Sequence, residues 1–529
     1  MMPTPSCKLR HLGLHTSVVI SDQTLQDLEA HGAPVATLSV PNAPRVTDVS
    51  PVAATLRKLV ASGERCRVAD AGLTSATRIA VLDASSNFRI ASVAPFAPAL
   101  RRLVASGRRC GISDASLSRA TRLEELDASD NSKIRTVAPF AVSLRRLGAS
   151  GGCGIDDATL VCVTRLNALR ADSNRSISTV APFAASLRKL VASYSGISDA
   201  GLVGATRLVE LFAAGCPEIS NVDPFAASLR KLSANGRACG ICDAGLARAS
   251  RIRELDASDN AQICTVAPFA ASLRVLVAKG DCGIADAGLT QATRIVALDA
   301  SWNSKVTSVA PFVASLRSLS ASGMRCGLDD TGLARAVHIR ELDASDNPRI
   351  CTVAPFALSL RKLNAGHRCG IDDAGLVRAT HIEDLSACYN PGITTTVPFA
   401  ESLHKLSARE SCGIGDAGLS RAVRIAILEA DENPRITTVS PFAASLFKLS
   451  ARGADCGIDD AGLALASHIE DLDASYNGRI STIAPFAASL RSLGACGDCG
   501  IDDEGLVLAT RLERLDTRYN STIFTKLPP

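Results

Sequence analysis

Aromatic side chains are scarce in this chain of 529 residues, which holds one Trp, four Tyr and fourteen Phe. A surplus of charge is missing too. The 57 basic and 53 acidic residues leave a formal net charge of +4, which gives no field to draw nucleic acid or acidic lipid, so no nucleic-acid partner is expected. No stretch approaches the ~18 consecutive apolar residues of a membrane-spanning helix, so no membrane partner is expected. The opening "MMPTPSCKLRHLGLHTS" has no apolar core of leader length, which predicts an intracellular, cytoplasmic protein. Catalytic signatures are lacking as well: there is no G-x-x-x-x-G-K-S/T, no H-E-x-x-H and no G-x-S-x-G. Among function classes an enzyme therefore comes last, and no cofactor or metal is expected.

What the chain has in abundance is one phrase. "LRRLVASGRRCGISDASLSRATRLEELDASDNSKIRTVAPFAVS" runs from Leu100 to Ser143, and near copies open at Leu144, Leu187, Leu229, Leu273, Leu316, Leu360, Leu403, Leu446 and Leu490. A fixed period of this size indicates a solenoid, in which each unit packs only on its neighbours. Each copy contains two half-repeats of about 22 residues. The odd half reads L-x-x-L-x-A followed by C-G-I-x-D-A-G-L-x-x-A, as in Leu360 to Ala379. The even half reads L-x-x-L-x-A-S-x-N-x-x-I-x-T-V-A-P-F-A, as in Leu123 to Ala141.

The residue types fit a strand, a turn and a return path. In L-x-x-L-x-A the second Leu and the Ala lie two apart and share one side of a strand, while the residue between them faces solvent. The next position must satisfy backbone groups where the chain turns inward. Even halves place Asn there, from Asn87 and Asn131 to Asn477 and Asn520, and once Cys216. Odd halves place Cys there in ten units, including Cys66, Cys110, Cys282 and Cys412. An Asp ahead of "AGLxxA", from Asp22 and Asp70 to Asp503, is expected to be a helix N-cap. In the even half "PFA" predicts a short turn of helix with Phe as bulk. Ten of the fourteen Phe fill that slot, from Phe96 to Phe486. They are expected to fill the room left by Ala at the third strand position.

Both halves resemble the leucine-rich repeat, L-x-x-L-x-L-x-x-N/C-x-L, over essentially the whole chain. The odd half is similar to the cysteine-containing subclass of F-box proteins, through "CGISDAGL"-type segments. The even half is similar to phosphatase-regulator and internalin-type repeats, through "NPRITTVSPFAASL" at Asn433 to Leu446. The resemblance implies an α/β solenoid, a horseshoe with a parallel β-sheet on its concave face and short helices and turns on its convex face. The expected organisation is a tail over 1–8, an atypical first unit over 9–55 with Leu14 and Val40 at the third strand position, and an array over 56–523. That array holds eleven double units, the last incomplete, and a tail follows over 524–529. The leading function is a non-enzymatic protein-interaction scaffold. The resemblance also implies two rivals: a substrate-recognition or adaptor subunit of an SCF-type ubiquitin ligase, and a surface or secreted adhesion protein.

Equivalent cysteines in successive units lie two strands apart, about 9–10 Å, whereas a disulfide needs Cα atoms within ~7 Å. They are expected to be reduced, buried ladder thiols. Paired aspartates such as Asp372–Asp373 and Asp459–Asp460 suit helix capping with a solvated neighbour rather than calcium. Asn174 and Asn520 begin glycosylation sequons, but both are ladder residues and are expected to be inaccessible.

On the sheet face the mid-strand residue of most even halves is acidic, as at Asp83, Asp127, Asp299 and Asp343. The residue before the second Leu of most odd halves is basic, as at Lys58, Arg102, Arg146 and Lys448. Opposite charges on adjacent strands are expected to pair. The pattern breaks in the third and fourth units, with Arg170 and Phe212 in the acidic row and Asp172 and Tyr194 beside them. A second candidate is an aromatic row: the single Trp and all four Tyr occupy one position, four residues after the second Leu, at Tyr194, Trp302, Tyr389, Tyr476 and Tyr519. These eight residues are the candidate partner-binding surface.

Overall fold

From Thr37–Ser39 onward each described half-repeat puts three residues into a strand, with the repeated Leu in the middle. The computed structural model of the chain describes residues 12–13 and 20–523. The tails over 1–8 and 524–529, and the expected places of Leu9 and Leu14, lie outside those residues. Two compact units result, one running to Asp256 and one beginning at Ala257. Each carries twelve parallel strands among the described residues.

In the first unit the strands run from Leu12–Gly13 to Glu254–Asp256, each pairing with the next in register, as in Leu103↔Leu126, Leu126↔Leu147 and Leu147↔Leu169. In the second they run from Val275–Val277 to Arg514–Asp516 by the same rule, as in Leu276↔Leu298 and Leu298↔Leu319. Strict alternation explains the burial: Glu125 and Asp127 face outward, Leu126 faces the core, and Ala128 follows it inside with no exposed surface. The ten Phe of the "PF" slot are the largest fully buried side chains. Each ends a three-residue 3₁₀ turn with Pro in its middle, as in Ala267–Phe269. Odd halves return through a single helical turn such as Asp114–Leu117. The first odd half returns differently, through a nine-residue helix, Asp22–Ala30, after the strand Leu12–Gly13.

The Asn and Cys positions do what the turn requires. Asn131 donates from Nδ2 to the carbonyls of Ala105 (2.8 Å) and Ile112 (3.1 Å), and its Oδ1 accepts from Lys133 N–H (3.0 Å). Cys110 donates from Sγ to Ala84 O at 3.5 Å, and Cys216, the substitute for Asn, donates to Ala192 O at 2.8 Å. Of the sequon residues Asn174 is buried, whereas Asn520 is only half-buried in the last half-repeat.

The repeated Asp is not the N-cap. It is the first residue inside the helix, and the residue before it caps: Ser21, Asp156 and Asp372 each stand in that place. Helical N–H groups are reached best from the residue just outside the helix, so the following Asp is free to face elsewhere. Its carboxylate reaches the next half-repeat. Asp114 accepts from Arg135 N–H (2.8 Å) and Thr136 N–H (3.1 Å), and Asp373 accepts from Thr394 N–H (2.8 Å) and Thr395 N–H (3.2 Å). In the paired aspartates the first residue caps, as Asp459 does for Gly462 N–H (2.9 Å), and the second clamps, as Asp460 does for Ser481 N–H (2.9 Å). The neighbour is thus a bridge between halves, not a merely solvated charge.

Ladder thiols lie inside this turn, and burial pushes their pKa up. Cys153, Cys239 and Cys456 rise to about 11, and Cys369 and Cys412 to about 12. Cys153 and Cys369 are part-exposed, while eight of the ten are buried. Thiolate is the reactive form, so alkylation of the native protein at pH 8 is expected to label Cys162, Cys264 and Cys351, which are exposed, well before Cys110, Cys282 or Cys412. Because the folded pKa is raised, the stability these thiols contribute is complete below the ordinary value of 9.0 and is lost as pH climbs towards about 12. Mass spectrometry of timed labelling checks the order. Ladder thiols labelling as fast as Cys264 would overturn it.

Candidate functional site

The sheet face carries two outward rows, one residue before the second Leu and one after it. In-register parallel pairing sets like positions opposite one another, so Lys231 faces Glu254 and Lys448 faces Asp471. Ion pairs follow that row: Lys189–Glu210 at 2.9 Å, Lys231–Glu254 at 2.6 Å and Lys448–Asp471 at 2.8 Å. Arg102 (3.4 Å) and Arg146 both reach Glu125. The expected partners in the mid-strand acidic row are thus not the main ones. Asp83 and Asp343 instead accept from the backbone N–H two residues on, at Ser85 and Ser345 (both 3.0 Å). Lys279–Asp299 at 2.7 Å and Arg409–Glu429 at 3.3 Å pair from the turn side. Each pair is exposed and contributes at most ~1 kcal/mol.

In the first unit the consensus break forms a local patch. Arg170 and Phe212 stand on either side of Val191 in one row. Arg170 Nε donates to Asp172 at 3.0 Å. The half-buried Phe212 ring lies 5.4 Å from Lys189 Nζ and 5.9 Å from Lys231 Nζ, within cation–π range. Tyr194 leaves the same strand as Val191 and is 59% exposed. Beside the patch a groove of about 500 Å³ is rimmed by Arg102, Glu125, Arg146, Arg170 and Lys189. Gly148 and Ala168 line it and, supplying no bulk, leave the room for it.

In the second unit the aromatic row is brought together by backbone conformation. Every described half-repeat from Leu38 onward puts the residue four after its second Leu at positive φ. Gly, Asn, Asp and Ser suit that left-handed turn; Trp302 (φ 62°), Tyr389 (57°), Tyr476 (61°) and Tyr519 (63°) occupy it against preference. Their side chains are 47%, 42%, 46% and 88% exposed. Trp302 and Tyr476 lie across the glycine of the following half: a Cβ on Gly323 would come within 2.5 Å of Trp302 Cδ2, and one on Gly497 within 2.2 Å of Tyr476 Cε1. Tyr389 instead stacks on His367, with ring centroids 4.9 Å apart and planes at 14°. A hydrogen bond to Glu410 raises its phenol pKa. Tyr476 and Tyr519 share a concavity of about 250 Å³ with Arg452, Asp473, Asp516 and Arg518. Trp302, Tyr389 and Tyr476 leave strands four apart, which sets them roughly 19 Å from one another along the sheet. The sequence marks the row by type and spacing; the left-handed backbone beneath it has no equally direct sequence signal, because Gly and larger residues alternate there.

The strand-turn-return unit, the in-register parallel sheet and the Asn/Cys ladder define a leucine-rich-repeat solenoid in each unit. No protein-family model matches the chain, and no curated protein matches it. Among solved structures it is similar to an internalin from Listeria monocytogenes (17% identity over 64% of this chain and 88% of that one, TM-score 0.36). It is also similar to a TLR13–ssRNA13 complex (15% identity, 94% and 72%, TM-score 0.49). A third likeness is to the leucine-rich-repeat ectodomain of a membrane receptor kinase from Arabidopsis thaliana (12% identity, 92% and 66%, TM-score 0.35).

Proposed function

We propose that the chain is a non-enzymatic scaffold that binds another protein through its sheet side, with Trp302, Tyr389 and Tyr476 as anchors, in a reducing intracellular compartment. One observation carries this: large aromatic side chains sit half-exposed at backbone positions that disfavour them. A strained non-glycine residue at such a position costs of order 1 kcal/mol or more, and Trp and Tyr are the types enriched at binding hot spots. The ladder thiols support the compartment. Neither the ubiquitin-ligase reading nor the adhesion reading has a residue-level observation behind it beyond the resemblance.

The test is the triple variant Trp302→Asn, Tyr389→Asn, Tyr476→Asn, compared with the parent in affinity capture from native lysate and in thermal unfolding. Asn suits the left-handed conformation, so folding stability is expected to hold or rise by about 1 kcal/mol per site, while the captured partner is lost. A well-folded variant that still captures it would overturn the aromatic row and move attention to Arg170, Asp172 and Phe212.

A further inference from the structure

The edge of the first unit's sheet where the strands begin is lined by arginine. In odd halves the residue after the first Leu is Arg57, Arg101, Arg145, Arg188 and Arg230. In even halves the residue before the first Leu or Ile is Arg78, Arg122, Arg165, Arg207 and Arg251, with Arg253 beyond the last. Backbone hydrogen bonds thread this edge strand by strand, from Ala80 N–H to Arg57 O, Arg101 N–H to Ala80 O, Glu124 N–H to Arg101 O and Arg145 N–H to Glu124 O. The odd-half arginines and Arg253 therefore share this edge with Ala80, Glu124, Asn167 and Val209, while the other even-half arginines lie two residues ahead of it. Together they form one band, the arginine line, across ten strands, roughly 43 Å long. Nine of the eleven are exposed, and Arg145 and Arg230 are half-exposed.

The positive charge of this line is scarcely cancelled. Among the described residues, Arg101 alone in it meets a carboxylate, Glu124, at 3.0 Å. The adjoining row on the sheet face neutralises itself through pairs such as Lys189–Glu210. Several of the guanidinium groups are held in place by the backbone: Arg145 Nη1 donates to Val142 O (3.1 Å) and Leu144 O (3.2 Å), and Arg230 Nη1 to Ala227 O (3.3 Å) and Leu229 O (3.0 Å). One nitrogen anchors the group and the remaining donors stay available. Burial and then the like charges of Arg251 and Arg253 lower the pKa of Arg230, which is how a crowded row of cations behaves without counter-charge.

We propose that this arginine line binds the phosphate backbone of a single strand of nucleic acid, without reading its bases. Arg presents a planar fork that matches phosphate. The line contains almost no apolar side chain, Ala80 and Val209 aside, and so lacks the buried anchors on which protein partners depend. It has no exposed aromatic side chain on which a base would stack. A band of this length, staggered between odd and even halves, favours a flexible strand, which can lay successive phosphates along it, over a duplex, whose backbones cross it. The chain's net charge of +4 conceals the line, because the balancing carboxylates lie in the sheet-face pairs and the Asp clamps.

The experiment measures fluorescence anisotropy of labelled twenty-nucleotide oligo-uridine and oligo-thymidine with the full chain at 50, 100 and 200 mM salt. Both oligomers are expected to bind equally and to weaken steeply with salt. The variant Arg122→Gln, Arg165→Gln, Arg207→Gln, Arg251→Gln removes side chains that make no hydrogen bond in the fold. Its slope of log affinity against log salt is expected to be shallower by about 3, the value for four lost phosphate contacts on a single strand. Its affinity at 100 mM salt should fall at least tenfold. The variant Lys362→Gln, Lys405→Gln, Lys448→Gln, which removes charge from the second unit's sheet face, should bind as the parent does. Circular dichroism and melting confirm that both variants fold. Absence of binding at 50 mM salt, an unchanged arginine variant, or an equal loss in the lysine variant would overturn the proposal. So would tighter binding of poly-glutamate than of either oligomer, which would assign the line to an acidic protein segment.

Discussion

Replacing Phe269 or Phe312 by alanine is expected to destabilise the surrounding half-repeats by ~3–5 kcal/mol. Both rings are at most 1% exposed, and their backbones are fixed at both ends. Phe269 N–H donates to Val266 O (3.1 Å), and Phe269 O accepts from Leu273 N–H (3.0 Å) and Ser272 Oγ (3.0 Å). The turn therefore cannot collapse into the space the ring leaves, and the small Ala257 and Ala300 of the strands have no bulk to lend. Hydrogen exchange followed by mass spectrometry reads the effect where it falls. Protection should drop in the mutated repeat and its immediate neighbours, since contacts in a solenoid are local. A change under about 1 kcal/mol, within the ordinary range of surface substitutions and mild core changes, would sink the packing argument.

The Asn ladder should be nearly as unforgiving. Asn433 has no exposed surface; it donates to Ala408 O (2.7 Å) and Ile414 O (3.2 Å) and accepts from Arg435 N–H (2.9 Å). Asn433→Ala strips a partner from two buried backbone carbonyls and from the part-buried N–H of Arg435. Each buried group costs about 1–3 kcal/mol when left unmade, so a loss of about 3 kcal/mol is expected. Asn433→Cys should cost less. Cys216 fills the same position with one donated hydrogen bond, and ten of the odd halves use a thiol there. Urea unfolding of the two variants gives the comparison. Equal losses for Ala and Cys would mean that size, not hydrogen bonding, governs the position.

Period and residue type made the repeat, the buried Leu and Phe, the Asn/Cys turn and the sheet legible in the amino-acid order. Alternation in a strand states which side chains face outward, but not which outward positions meet. That depends on register, and in-register pairing joined Lys231 to Glu254 rather than to Asp256, two positions along the same strand. Helix capping was legible as an Asp near the start of "AGL", yet one residue decides between satisfying the helix and reaching across to the next turn. At Asp114 the reach across won, because Ser113 already occupied the cap. The aromatic row was visible, while its left-handed backbone was not. The arginine edge was hidden by arithmetic, since whole-chain charge averages over faces that never see one another.

The Asp clamps and the Asn side chains give the array a mechanical grain. Asp114 in an odd half holds Arg135 and Thr136 of the even half that follows, and Asn131 of that even half reaches back to Ala105 and Ile112. At the opposite junction the link repeated at the turn is a thiol, such as Cys110 to Ala84, a weaker donor, joined by scattered contacts such as Asp130 Oδ1 accepting from Gly152 N–H (3.1 Å). The repeated turn stitching is therefore stronger within an odd–even couple than between couples. Drawn out by a steady tension, either unit would part first at these lighter seams and shed chain one couple at a time. Each couple of forty-odd residues would release a contour of about 145 Å, so that the solenoid would behave as a ratcheted spring rather than a uniform one.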